Sequence, residues 1–301
     1  MNEKKLTSEE LKKIEKRRQR KKSLPVLLMA GPVSLWMVVF VMIPLIYVII
    51  LCFCQRSSYG TVVYSFTLDN FKNMCSTLYA GIYKDSFVIA VSNTVICLLV
   101  GYPVAYRIAK MPSKRQAQMI MLLMIPFWTS SLLRLYSWNL TFQPNSFLNN
   151  FLMNIGLIDE PLNLLYSQTI VMLGMVTGSL PFAVLPMYSS IEKLDKNMLE
   201  ASADLGANPV VTFFKVTLPQ TFPGIFSAIL LTFIPSLGTY TVPEVLGGGK
   251  VMLLGSLIRN QFLTSKNWPF GAALSLVMIV GTLLMLFIYS RFADMDDLEV
   301  F

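Results

Sequence analysis

Glu244 is the carboxylate in this chain with the most unusual neighbours. It closes the run Tyr240-Thr241-Val242-Pro243-Glu244, directly after an apolar stretch punctuated by Pro223 and Pro235. Twelve of the 17 Asp and Glu residues fall in the two polar tails or in the polar 189–221 segment, which leaves Asp69, Asp85, Asp159, Glu160 and Glu244 elsewhere. An ionisable group at membrane depth costs about 2.5–3.5 kcal/mol on insertion scales, so such groups face a pathway rather than lipid. A carboxylate beside a tyrosine ring offers neutralisation plus a cation–π face worth about 0.5–2 kcal/mol. Glu244 and Tyr240 are therefore candidates for a cation site or an outer gate, and Trp128 is a further aromatic candidate for lining the path. Two plainer readings stand beside these. Glu244 can sit above the bilayer, capping a short helix or meeting an external binding protein, and Trp128 and Tyr136 suit an aromatic belt at interfacial depth.

Other chemistry is poorly provided for. The chain contains no histidine, the commonest general base and proton shuttle, and no convergent carboxylate–nucleophile set, so no catalytic residue is assigned. Cys52, Cys54, Cys75 and Cys97 lie in or beside apolar runs without metal-ligand spacing; they read as small packing residues, and no metal site is assigned. Gly247-Gly248-Gly249-Lys250 lacks the spacing of a phosphate-binding loop.

The elements that must position Glu244 are membrane spans. Hydrophobic residues make up 54% of the chain and charged ones 14%, with mean hydropathy +0.58. Soluble domains carry about a quarter charged residues; this composition is that of an all-α integral membrane protein. Six stretches are long and apolar enough to cross: Leu24–Phe53, Ser86–Ile108, Met119–Phe142, Thr169–Tyr188, Phe222–Val242 and Phe270–Tyr289. The first is too long for a cleaved signal core. The fifth is broken by prolines, which lipid tolerates only where protein or a cavity satisfies the freed backbone groups. Eighteen of the 25 Lys and Arg residues cluster in the tails, the loop after span two and the 189–221 segment, against six in the opposite loops. The positive-inside bias puts both termini in the cytoplasm. The organisation expected is a basic cytoplasmic tail (1–23), a six-span domain (24–291) and a short cytoplasmic C-terminal tail (292–301). The tail reads as a contact for anionic lipid, with a possible helix Ser8–Lys22, rather than for nucleic acid. Asp85 reads as the N-cap of span two, and Arg134, some 22 Å along span three at 1.5 Å per residue, as a structural cation snorkelling to the outer interface.

The 189–221 segment has its own architecture. Asp195 can cap a helix running to about Leu205, and Gly206 suits the left-handed position that ends it. Asn208-Pro209 restarts a helix, with Asn as cap and Pro at its first position; this one ends near Leu218-Pro219. Met198, Leu199, Ala201 and Leu205 lie on the first helix and Val210, Val211, Phe213, Phe214 and Val216 on the second. The product is a helical hairpin with an apolar face, on the cytoplasmic side.

The spacing Glu200-Ala201-Ser202-x-x-x-Gly206, nine residues, Val216-x-Leu218-Pro219 resembles the EAA loop of ABC importer permeases, with Ser202 for the second Ala and Val216 for Ile. Pro126-Phe127-Trp128-Thr129, Leu133-Arg134-Leu135-Tyr136, Leu246-Gly247-Gly248-Gly249-Lys250 and Asn267-Trp268-Pro269-Phe270-Gly271-Ala272-Ala273 look like the permeases of spermidine/putrescine importers, a likeness covering most of the chain from Ser86 onward. The resemblance implies a type I importer permease fold in a bacterial plasma (inner) membrane. It implies a coupling helix seated in a groove of a cytoplasmic ABC ATPase homodimer, where Glu200 makes polar contacts, Gly206 supplies the turn and Leu218-Pro219 the return to the membrane. A second related permease, an extracytoplasmic solute-binding protein and a polyamine cargo complete the implied set. The chain has no P-loop, so ATP and Mg belong to the ATPase and no cofactor is expected on this chain. An importer permease for another small solute is the alternative. An autonomous secondary transporter would leave the hairpin without a role, and a membrane enzyme lacks its catalytic groups.

Overall fold

Lipid offers the backbone no hydrogen bonds, so spanning segments must satisfy themselves as helices or closed barrels. The computed structural model describes residues 31–57 and 59–292, which are predominantly helical; the 1–23 tail with its expected helix, residues 24–30 and residues 293–301 lie outside them. Helix α1 (Gly31–Cys52) leads to a two-stranded hairpin, β1 (Gln55–Arg56) against β2 (Val62–Val63), antiparallel with Gln55 opposite Val63. There follow α2 (Asp69–Met74), α3 (Thr77–Ala109), α4 (Ser113–Trp128), α5 (Ser131–Thr141), α6 (Phe147–Asn154) and α7 (Gln168–Glu192). The remainder is α8 (Lys196–Asp204), α9 (Pro209–Gln220), α10 (Phe222–Gly238), α11 (Thr241–Gly247), α12 (Leu254–Leu263) and α13 (Trp268–Phe292). Six spans result when α4 and α5 are taken as one bent crossing and α9–α10 as another.

Three of the expected boundaries change. Span two begins at Thr77, and its 33 residues extend roughly 50 Å at 1.5 Å per residue, well beyond a hydrocarbon core. Asp85 is thus interior to α3 and is not its cap. Span three is not continuous: α4 and α5 meet at 83°, because Thr129 and Ser130 are extended. The Pro126 carbonyl at this corner accepts from Thr129 Oγ1 (2.7 Å) and from Arg134 Nη1 (2.8 Å). The Arg134 guanidinium also lies 5.2 Å from the centre of the Phe127 ring. Arg134 is structural, as expected, but it braces a break rather than snorkelling from a straight helix. Span five stops at Gly238 instead of Val242, and Thr239 is extended.

Two prolines are accommodated by the same device. Pro44 and Pro219 cannot donate and would press on a carbonyl one turn back. Each is preceded by a π-turn, Val38–Met42 and Phe213–Thr217, in which Ile43 N–H reaches Val38 O and Leu218 N–H reaches Phe213 O.

The centre of the domain is the mutual packing of α3, α7 and α10. Cys97, Ala105, Ala183, Val184, Met187 and Ala228 are fully buried there. Small residues let the helices approach closely, as membrane interfaces require. Gly224 lies so near the Pro186 carbonyl and Ser190 that a Cβ would overlap both. Asn93, fully buried, donates from Nδ2 to Ser179 Oγ (3.2 Å, α7) and Ser236 Oγ (2.8 Å, α10). Of the four cysteines, Cys52, Cys54 and Cys97 are buried in packing roles, whereas Cys75 is exposed.

Asn93→Ala removes both cross-helix bonds and is expected to lower stability by about 1–3 kcal/mol. Denaturant titration of the purified protein in detergent measures this, and an unchanged midpoint would mean that the amide does not hold the three helices together.

Candidate functional site

The helical hairpin forms from local signals that the structure realises atom by atom. Asp195 Oδ1 accepts from Asn197 N–H (2.9 Å) and starts α8. Gly206 ends it at φ +78°, with Gly206 N–H on Ala203 O and Ala207 N–H on Ser202 O, the paired bonds of a Schellman turn. Asn208 Oδ1 then accepts from Val211 N–H (2.8 Å), and Pro209 opens α9.

The expected coupling residues divide into two sets. Glu200, Ala201 and Pro219 are exposed, together with Leu205 (88%), Val210 and Phe214. Ser202 turns inward, where its hydroxyl bonds Thr212 Oγ1 at 2.7 Å and ties α8 to α9. Val216 and Leu218 are half-buried on the return to the membrane.

On its inner side the hairpin is keyed to α3 by aromatics that sequence reading missed. The Phe213 ring stands edge-on to Tyr102 and Tyr106, with centroids 5.7 and 6.2 Å away. Lys110 Nζ lies 4.2 Å over Tyr106. Tyr102 Oη bonds Thr221 Oγ1 at 2.9 Å, at the 64° bend between α9 and α10. Tyr102 and Tyr106 lie more than a hundred positions from Phe213 and Thr221, so pattern alone had no signal for the pairing.

The second constellation lies at the other end of α10. Tyr240 occupies the N-cap position of α11 and Glu244 its first turn, where the helix dipole favours a negative charge. Glu244 Oε1 pairs with Arg259 Nη1 of α12 at 3.0 Å, and the Arg259 guanidinium lies 5.6 Å from the centre of the Tyr240 ring. The Glu244 and Arg259 side chains are 45% and 34% exposed. A cavity of about 480 Å³ opens beside them, lined by Tyr240, Arg259, Gly238, Gly255, Met278 and Thr282 among others. Gly255 is required here, because a Cβ would meet the main-chain oxygens of Gly238 and Thr239. The structure thus brings Glu244 and Tyr240 together and adds Arg259, which reads in the sequence only as one of the few basic residues of the outer loops. Trp128 stands apart, 72% exposed at the end of α4.

Residues 73–294 match the family model described as "Binding-protein-dependent transport system inner membrane component". The chain belongs to this family. It is a membrane permease subunit of an ABC importer, not an enzyme, and the autonomous secondary transporter drops out. The chain is 40% identical to the spermidine/putrescine transport system permease protein PotB of Haemophilus influenzae, over 85% of this chain and 90% of the relative. It is 41% identical to the Escherichia coli K12 protein of the same name, over 85% and 93%. The inner membrane ABC transporter permease protein YdcU of E. coli K12 shares 31% over 77% and 78%. Among solved structures, a bacterial ABC transporter that imports the acidic polysaccharide alginate superposes with TM-score 0.70 at 17% identity, covering 94% of this chain and all of that one. The same transporter with a pentasaccharide-bound periplasmic protein gives 0.71 at 16% identity, covering 91% and 95%. These two establish the fold, the type I permease architecture.

Ser202→Ala removes the bond that ties α8 to α9, at a cost of about 0.5–1.5 kcal/mol. Amide exchange across 196–212 is expected to quicken by a corresponding severalfold while α3 and α7 keep their protection. Equal protection in the variant would show the hydroxyl pair to be dispensable.

Proposed function

We propose that the chain carries polyamines, spermidine or putrescine, into the cytoplasm by alternating access driven by a separate ABC ATPase. The observation that supports this most is the likeness to spermidine/putrescine permeases at 40–41% identity across 85% of the chain. The geometry is consistent with it: a flexible polycation needs carboxylates and aromatic faces, and Glu244 and Tyr240 stand together beside a cavity.

In this reading the Glu200–Pro219 hairpin seats in an ATPase homodimer on the cytoplasmic face, offering Leu205, Val210 and Phe214 as its apolar contact and Glu200 as its polar one. A second related permease completes the pathway, and an extracytoplasmic solute-binding protein delivers the cargo. Both termini lie in the cytoplasm, by the excess of Lys and Arg on that side. The bend at Thr221 carries ATPase closure into α10, because the hairpin is keyed to α3 through Tyr102 and Phe213 and continues directly into the span. Cargo choice rests largely with the binding protein, and Glu244 supplies a charge filter in the membrane. Trp128 is proposed as a further path residue, on the face left open at the end of α4.

Reconstituted with its partner subunits, the complex is expected to take up radiolabelled spermidine and putrescine in an ATP-dependent manner. Unlabelled polyamine should compete and an uncharged diol of the same length should not; uptake blocked equally by both would rule out the polyamine assignment. Glu200→Ala is expected to reduce ATP-driven uptake about tenfold, in the range of a polar interface anchor, with co-purification of the ATPase subunit weakened in parallel. Undiminished coupling would place the anchor elsewhere on the hairpin.

A further inference from the structure

The described residues include three arginines whose guanidinium groups have defined partners at structural junctions, and they are held in two different ways. Arg56 donates to the Ser265 carbonyl (2.7 Å) and Arg134 to the Pro126 carbonyl (2.8 Å). Both bond the main chain at a loop or a break, which fixes them as braces. Arg259 has no main-chain partner among the described residues. Its contacts are the Glu244 carboxylate at 3.0 Å and the Tyr240 ring at 5.6 Å, a carboxylate and an aromatic face. Those two groups are also what would recognise an alkylammonium ion.

From this juxtaposition we propose that Arg259 is a tethered stand-in for the cargo, a resident cation that holds the Glu244–Tyr240 site until an incoming ammonium group displaces it. The proposal rests on the reading of Glu244 and Tyr240 as a cation site and adds the residue that competes for it. Three features suit exchange. The pair is partly exposed on both sides, so the guanidinium can swing into water rather than be stranded. The substitution of one monovalent cation for another leaves the charge of the site unchanged, so Glu244 is neutralised before and after. The cavity of about 480 Å³ adjoins the pair on the Arg259 side and lies within the usual range of small-molecule sites. An empty site closed by its own arginine also presents no bare carboxylate to inorganic cations.

The test is equilibrium binding of radiolabelled spermidine to the assembled transporter in detergent, without the solute-binding protein. Arg259→Gln is expected to tighten spermidine binding about two- to fivefold, the range that a partly exposed ion pair commands. Arg259→Lys, which retains the cation, should stay close to the unsubstituted complex, and Glu244→Gln should weaken binding. Glu244→Gln without effect would remove the cation site and this proposal with it. Weakened binding in Glu244→Gln together with unchanged or weakened binding in Arg259→Gln would leave the site standing and overturn the competing role of Arg259. Failure of both Arg259→Gln and Arg259→Met to co-purify with the partner subunits would make Arg259 a brace like Arg134, and would overturn it equally.

Discussion

A backbone that crosses lipid must find a partner for every peptide group, and the departures from regular helix in this permease are each shaped by that requirement. At Pro126 the free carbonyl is taken by a hydroxyl and a guanidinium, and the chain turns a corner of 83°. At Pro44 and Pro219 it is handled within the helix by a π-turn placed just upstream. At Thr221, where α9 bends into α10, the side-chain hydroxyl returns to the Thr217 carbonyl at 2.9 Å and also meets Tyr102 Oη. These departures lie within α1, at the corner where the fourth helix turns into the fifth, and where the hairpin joins its span.

The hairpin and the Tyr240–Glu244–Arg259 group therefore adjoin the two ends of one helix. α10 receives the hairpin at Thr221 and leads at Gly238 to the Tyr240–Glu244–Arg259 group. It lies against α7 through Gly224 and against α3 through the Asn93–Ser236 bond. Under the proposed function α10, packed through small residues such as Gly224 and Ala228, is the element that would link the hairpin to the charged group.

Much of this was legible in the sequence, because the relevant signals are local. Asp195, Gly206, Asn208 and Pro209 act on their own backbone neighbours, so each turn of the hairpin carries its own signal in the sequence. The six crossings follow from apolar length alone. What sequence missed is what depends on distance. Asp85 reads as a cap because a charged residue borders the apolar run, but α3 continues a further eight residues toward Thr77, past the thickness of the hydrocarbon. The corner at Thr129–Ser130 hides in a run that is still long and apolar enough on average to read as one crossing. Arg259 looks like an outer-loop charge until α12 folds back to place it 3.0 Å from Glu244, fifteen positions earlier in sequence, and Ser202 looks like a surface variant of alanine until Thr212 comes opposite.

The Asn93 cluster has a property beyond adhesion. Ser236 Oγ donates to Thr232 O (2.6 Å), Thr232 Oγ1 to Ala228 O (2.8 Å) and Thr94 Oγ1 to Ala90 O (2.8 Å), each within its own helix. Ser236, which faces Asn93, and Thr232 and Thr94, which face one another across the seam, thus keep a donor bond at home whatever their neighbours do. If α10 slid along α3, Ser236 and Thr232 would remain bonded at home, and the penalty would fall on one N–H of the Asn93 amide, the other staying on Ser179 of α7. The seam is cohesive at rest yet has few bonds that a movement of α10 against α3 would break.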